Sequence, residues 1–220
     1  FSSVVVVGNQ EEAVRAALSQ SQVSFARQEI PKGTGHAVQC ALSELKGLQA
    51  ERVLVFFGDT PLFRAATLQE LKTFHVSNGF DVTFVTAEIP TPGSYGRLIR
   101  DDQGRALTIV EAANATSEEL AVCEINTGAA MFEMDWLAKH LPDFQTHPPK
   151  DEVYLTDALE IAAKSGKAGA MIISDPREAD GVNTRVDLAK ATNVLQARIV
   201  HDLMLQGVTF LAPDSVTVEP

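Results

Sequence analysis

The chain is poor in cysteine: Cys40 and Cys123 are the only two among 220 residues, and they form no CxxC pair. This spacing leaves no disulfide framework and no cysteine-based zinc site, and both thiols are read as small core residues of a protein from a reducing cytoplasm. Cations are also scarce, with 18 Lys and Arg against 29 Asp and Glu and a formal net charge of −11. Such a balance argues against nucleic acid as a partner, because phosphate neutralisation needs clustered Lys and Arg. An anionic substrate would therefore depend on a metal ion or on local donors. No apolar run approaches the roughly 20 residues of a membrane span, and no basic segment followed by a signal-type apolar core opens the chain. The chain is accordingly expected to be soluble and cytoplasmic, with no membrane partner. The histidines at 36, 75, 140, 147 and 201 form no HExxH or other metal-ligand spacing, and the sequence carries no Gly-x-Ser-x-Gly elbow. His36 is read as a packed or capping side chain.

What is present is alternation. The β-branched run "SSVVVVGN" precedes "QEEAVRAALSQ", whose apolar residues follow helical spacing. The same order repeats through "VSFARQ", "GHAVQCALSELKG", "RVLVFFGD", "ATLQELKTFHVSNG" and "DVTFVTAEI". Continuous apolar strands alternating with helices indicate an α/β fold with a mixed, mainly parallel sheet and helices on both faces. The middle differs: "YGRLIRDDQGRALTIVEAANAT" reads as two strands around a turn at Asp102–Gly104, and "AVCEINTGAAMFE" as a strand interrupted by Asn126 and Gly128. "DEVYLTDALEIAAKSGK" is expected to be helical, "AGAMIISD" a strand, "RVDLAKATNVLQARIVHDLMLQG" a long helix stopped by Gly207, and "VTFLAPDSVTVEP" short strands.

Three stretches carry candidate chemistry. "PKGTGHAVQCA" places Gly33, Thr34 and Gly35 at a helix start, where they suit a phosphate cradle, a base pocket or an ordinary helix entry. The stretch lacks the third small residue of a dinucleotide fingerprint and the lysine position of a Walker loop. "RVLVFFGDTPL" ends a buried strand on Gly58 and Asp59, putting a carboxylate at the carboxyl edge of the sheet where ligands of open α/β sheets bind. Asp59 would equally cap the turn that follows. Asn183, in "GVNTRVDLAK", fits a helix N-cap or, facing Asp59, the second ligand of a hard oxygen site suited to Mg²⁺.

"RQEIPKGTGHAVQCA", "VFFGDTPLF", "YGRLIR", "IVEAANAT", "EINTGAAMF", "DEVYLTDALEIA" and "GVNTRVDLAKA" occur in this order over roughly residues 4–210. Together they resemble the uridyltransferase (pyrophosphorylase) domain of the bifunctional bacterial N-acetylglucosamine-1-phosphate uridyltransferase/glucosamine-1-phosphate N-acetyltransferase family. The resemblance implies a Rossmann-like nucleotidyltransferase (nucleotide-diphospho-sugar transferase) fold. It implies further that Gln28, Gly33 and Thr34 hold the uracil end of a sugar nucleotide, and that Phe57, Gly58 and Asp59 lie beside ribose and metal. Gly96, Glu111 and Asn126 match groups on the acetamido sugar, and Asp59 and Asn183 match the Mg²⁺ ligands through which catalysis would run.

The reaction implied joins UTP and N-acetylglucosamine-1-phosphate to give UDP-N-acetylglucosamine and pyrophosphate, for peptidoglycan and lipopolysaccharide precursors of the cell envelope. An inert UDP-sugar-binding remnant and a nucleotidyltransferase for another sugar-1-phosphate are the alternatives. By the same resemblance, residues 1–185 form the catalytic domain without the family's first strand and Gly-rich phosphate loop, 186–206 a linker helix, and 207–220 the start of a left-handed β-helix. That β-helix carries acetyltransfer and homotrimer formation in the full-length family. Ala113 and Asn114 stand where family members commonly carry a Lys–Asp pair. The folded chain is expected to bring Asp59 and Asn183 together.

Overall fold

The computed structural model describes residues 2–148 and 151–218. The first half follows the expected alternation: β1 (Ser3–Val7), α1 (Glu11–Ala17), β2 (Val23–Arg27), α2 (Thr34–Gly47), β3 (Arg52–Val55), α3 (Ala65–Asn78) and β4 (Val82–Glu88). The hairpin of β5 (Arg97–Arg100) and β6 (Ala106–Val110) turns at Gly104, and after the single turn α4 (Ser117–Leu120) comes the long strand β7 (Glu124–Glu133). Then follow α5 (Met134–His140), the short pair β8 (Thr146–His147) and β9 (Glu152–Val153), α6 (Asp157–Ala163), β10 (Ala168–Ile172) and α7 (Arg185–Leu205).

β10, β4, β7, β5 and β6 lie side by side in that order, and β3 also pairs with β7. β10 is parallel to β4, while β3, β4 and β5 are each antiparallel to β7 and β6 is antiparallel to β5. Four of the six strands therefore point the same way, and the sheet is mixed. β1 and β2 form a separate parallel pair against which α2 packs. The first six residues of β4 are all buried, as a central strand covered on both faces requires. Alternate side chains serve opposite layers. Phe84 and Phe132 meet edge to face at 6.0 Å between centroids, in a core shared with Val38, Val53, Leu137 and Leu159. Val85 and Met131 face the other way, toward Leu71 of α3 and Ile173.

The regular pairing of β7 fails at one place. Phe84 is opposite Ala130 and Thr86 is opposite Asn126, so Thr127–Ala129 bulge out against the single residue Val85. The Thr127 hydroxyl donates to the Val85 carbonyl at 2.9 Å, and Gly128 adopts φ +83°, a conformation that disfavours any residue with a Cβ. On the other edge of β7, β3 ends at the Val55–Ala130 pair and β5 begins at the Arg97–Ile125 pair. Between these pairings lies a notch in the sheet.

Several local expectations need correction. The helix expected from Asp151 begins only at Asp157, because the N–H groups of Val153 and Leu155 are taken by the Lys32 carbonyl (2.8 Å) and the Thr34 hydroxyl (3.0 Å) instead of helical partners. Cys123 is exposed and Cys40 half-buried, so neither is a core residue. From Val208 to Val218 the chain holds one 3₁₀ turn at Pro213–Ser215 and no strand; Gln196 of α7 instead binds both the N–H and the carbonyl of Val218. Glu219 and Pro220, also expected in a strand, lie outside the described residues. Among the described residues no helix is long and apolar enough to cross a membrane.

The bulge yields a direct test. A Cβ on Gly128 would fall 2.5 Å from the Phe57 ring, so Gly128→Ala should cost about 1–3 kcal/mol of stability from backbone strain and displacement of the ring. Denaturant titration reads this as a lower midpoint with an unchanged slope; an unaltered midpoint would show that the bulge adapts freely.

Candidate functional site

The stretch that opens α2 is fixed from below. Gly33, the residue before the helix, has φ +91°, and a Cβ there would lie 2.5 Å from the Val153 carbonyl. Gly35 is packed as closely, with its hypothetical Cβ 2.8 Å from Val153 Cγ1. The two glycines are thus required by the approach of β9, which brings Thr34 Oγ1 within reach of the Leu155 N–H. Gln28 lies beside this turn, its amide nitrogen 3.1 Å from the Gly33 carbonyl and 2.8 Å from His36 Nδ1.

The extended segment 152–156 joins this end to a second group of residues. One residue beyond Leu155, the Thr156 hydroxyl donates to Glu111 Oε1 at 3.2 Å. Glu111 follows β6, and its other oxygen would be 3.4 Å from a Cβ placed on Gly96. The Gly96 carbonyl accepts from Asn126 N–H at 2.9 Å, and Asn126 Oδ1 accepts from Gly128 N–H at 3.0 Å. Gly96 is also held from beneath: the buried Arg97 guanidinium donates to the carbonyls of Tyr95 and, at 3.0 Å, Gly93. Gly96, Glu111 and Asn126 therefore come together along the notch, and Thr156 joins them. Thr156 was not singled out in the sequence because it sits in a segment read as helix. Ala113 and Asn114 are exposed.

The third group lies where β3 leaves the sheet. The exposed Phe57 lays its ring over Gly128, and the Thr60 hydroxyl donates to the Phe57 carbonyl at 2.8 Å, closing a tight turn through Gly58 and Asp59. The Asp59 carbonyl accepts from Val182 N–H at 2.7 Å, which puts the Gly181–Asn183 loop directly against it. A Cβ on Gly181 would lie 3.6 Å from Asn183 Nδ2 and 3.8 Å from the Asp59 carbonyl oxygen. Asn183 is not the helix cap: Thr184 caps α7 in a reciprocal pair with Asp187. Both Asp59 and Asn183 are exposed, and neither side chain hydrogen-bonds among the described residues. One carboxylate and one amide oxygen left free on adjoining loops form a donor set that fits a hard divalent cation completed by water and phosphate.

Behind these loops a charged cluster fixes their spacing. Buried Glu178 accepts from Arg64 N–H (2.9 Å) and the Thr67 hydroxyl (3.0 Å) at the start of α3. Asp175 accepts from Arg64, Arg177 and Arg198, and Arg177 foremost, with Arg198, holds its carboxyl down at about 2. Arg198 also donates to the Leu62 carbonyl at 2.6 Å, so α7 clamps the turn that carries Asp59. Glu111 is shifted the other way. Burial raises its carboxyl above the usual range, with the Asp157 and Glu152 carboxylates adding to the effect and the Thr156 hydroxyl and His147 opposing it. His147 pairs with Asp157 at 2.9 Å and stacks on Tyr154.

An open α/β sheet with its uncommitted polar groups gathered at a break in strand order is the architecture of a nucleotide-handling domain. The chain matches the MobA-like NTP transferase domain over residues 1–133 and belongs to that family. It is also 41% identical to the bifunctional protein GlmU of Trichlorobacter lovleyi and 44% identical to that of Lactobacillus johnsonii, in each case over 98% of this chain and 47% of the relative. The bifunctional protein GlmU of Thermobifida fusca is 41% identical over 99% of this chain and 46% of its own length. The chain thus spans about half the length of the curated relatives it matches.

Because the folded state raises the Glu111 carboxyl, it holds that proton more tightly than the unfolded chain does. Ionised Glu111 therefore subtracts from stability, and the loss grows as pH rises from the ordinary glutamate value through the raised one. Glu111→Gln keeps an acceptor for Thr156 and removes the charge. Its melting temperature should exceed that of the parent at neutral pH, and the difference should vanish in acid; a lower melting temperature at pH 7 would mean that the charge itself is stabilising.

Proposed function

We propose that this domain is a uridyltransferase, forming UDP-N-acetylglucosamine and pyrophosphate from UTP and N-acetylglucosamine-1-phosphate in the cytoplasm, with Mg²⁺ as its cation. The observation that supports this reading is the contact of the Val182 N–H with the Asp59 carbonyl, which holds against each other the two loops that carry the unpartnered Asp59 and Asn183 side chains. On this reading the base lies against Gln28, Gly33 and Thr34, and the acetamido sugar lies against Gly96, Glu111 and Asn126. Phe57 and Gly58 line the path between the two ends.

The chemistry asks little of side chains as acids or bases. A non-bridging oxygen of the sugar phosphate attacks the α-phosphorus of UTP, a new P–O bond forms, and the bond to the β-phosphate oxygen breaks to release pyrophosphate. The nucleophile is already an anion, so no proton has to be removed. Asp59 and Asn183 would hold the cation, which when bound supplies charge neutralisation at the phosphates. Glu111 and Asn126 orient the sugar hydroxyls, and the rigid turn at Gly96 fixes the distance between sugar and phosphorus.

Pyrophosphate release by the purified chain from the two substrates, with and without added Mg²⁺, tests the reading. Asp59→Asn should lower the rate by about 10²-fold or more, since single groups that stabilise phosphoryl transfer are commonly worth that much. Its circular dichroism should be unchanged, because the side chain is exposed in the turn that follows β3. Tight binding of UDP-N-acetylglucosamine with no turnover would favour the inert binding domain, and turnover with a different sugar-1-phosphate would reassign the substrate.

A further inference from the structure

The amide of Gln28 is oriented by its surroundings. Its nitrogen lies 3.1 Å from the Gly33 carbonyl oxygen, which can only accept, so the atom facing that carbonyl must be the donor. The second N–H of the same nitrogen points to His36 Nδ1 at 2.8 Å. Nδ1 must therefore accept, which puts the imidazole proton on Nε2, the atom 3.8 Å from Cys40 Sγ. Both amide hydrogens are committed, and Oε1 has no partner among the described residues. Beside it, the first N–H groups of α2 have no helical acceptor.

We infer that His36 is a specificity-determining positioning residue: by accepting from Gln28 it leaves Oε1 as the free acceptor and selects a pyrimidine whose central edge position is a donor. The inference rests on the base pocket of the proposed function. A free acceptor matches the N3–H of uracil, which lies between two carbonyls. On cytosine the same ring position is an acceptor and would face Oε1 lone pair to lone pair. Without an acceptor at position 36 the amide is held by Gly33 alone. It then turns at the cost of one neutral hydrogen bond, and the pocket no longer distinguishes the two bases.

The test compares dissociation constants of UDP and CDP by calorimetry for the parent chain, His36→Leu and His36→Asn, the last placing a side-chain oxygen near the position of Nδ1. The parent should prefer UDP, His36→Leu should reduce the preference about tenfold or more, and His36→Asn should restore most of it. His36→Ala replaces the leucine variant if that variant does not fold. A preference for UDP that survives both the leucine and the alanine changes, or an equal loss of affinity for both nucleotides, overturns the role of His36 while leaving the uridine pocket standing. A parent chain with no preference for UDP overturns the pocket itself, and the inference with it.

Discussion

One run of backbone, β7, has to satisfy strands on both of its edges, and it does so only by abandoning regular pairing at Thr127–Ala129. The notch and the residues around it follow from that failure. The Thr127 hydroxyl closes the bulge from the β4 side, Gly128 makes room for the Phe57 ring, and Asn126 turns its amide oxygen back onto the Gly128 N–H. β3 can then stop at Val55 and send Asp59 outward, while β5 starts afresh at Arg97.

The same economy governs the carboxylates. Those behind the site are neutralised where they stand: Asp175 by three guanidiniums, Glu178 by the first turn of α3. Glu111, by contrast, sits in a half-buried position among other acids, with one hydroxyl donor facing it. The molecule thus spends its cations on fixing the loops and leaves acidic, under-compensated oxygens along the notch. A chain with a net charge of −11 has no diffuse positive field to gather an anion, so an anionic ligand would depend on local donors or on a cation.

Much of this was legible in the residues. The strands and helices of the first half follow from β-branched runs and helical spacing, because there the chain alternates cleanly and each element meets its own period. The contact between the Asp59 turn and the Gly181–Asn183 loop agrees with the expectation that the two come near each other. The segment 151–156 could not be read, since "DEVYLT" has helical neighbours and the acceptors that hold it extended, Lys32 and Thr34, lie more than a hundred positions away. Tertiary hydrogen bonds of that range leave no periodic trace. The same limit hid Thr156, and it hid the structural part of the YGR motif, in which Arg97 props the turn by donating to the Tyr95 and Gly93 carbonyls around the buried Gly96. α4 and α5 are too short to show a period, and Cys123 is exposed because it lies in the turn leading into β7.

The buried guanidinium of Arg97, drawing in the carbonyls of Gly93 and Tyr95, has a kinetic meaning. The turn it props gives up its conformational freedom when the chain folds, so on the function proposed above little would remain to be ordered there on binding. Recognition at such a preformed edge cannot be slowed by loop closure. Molecules that fit it well and molecules that fit it poorly will arrive at much the same rate, and what separates them is how long each one stays.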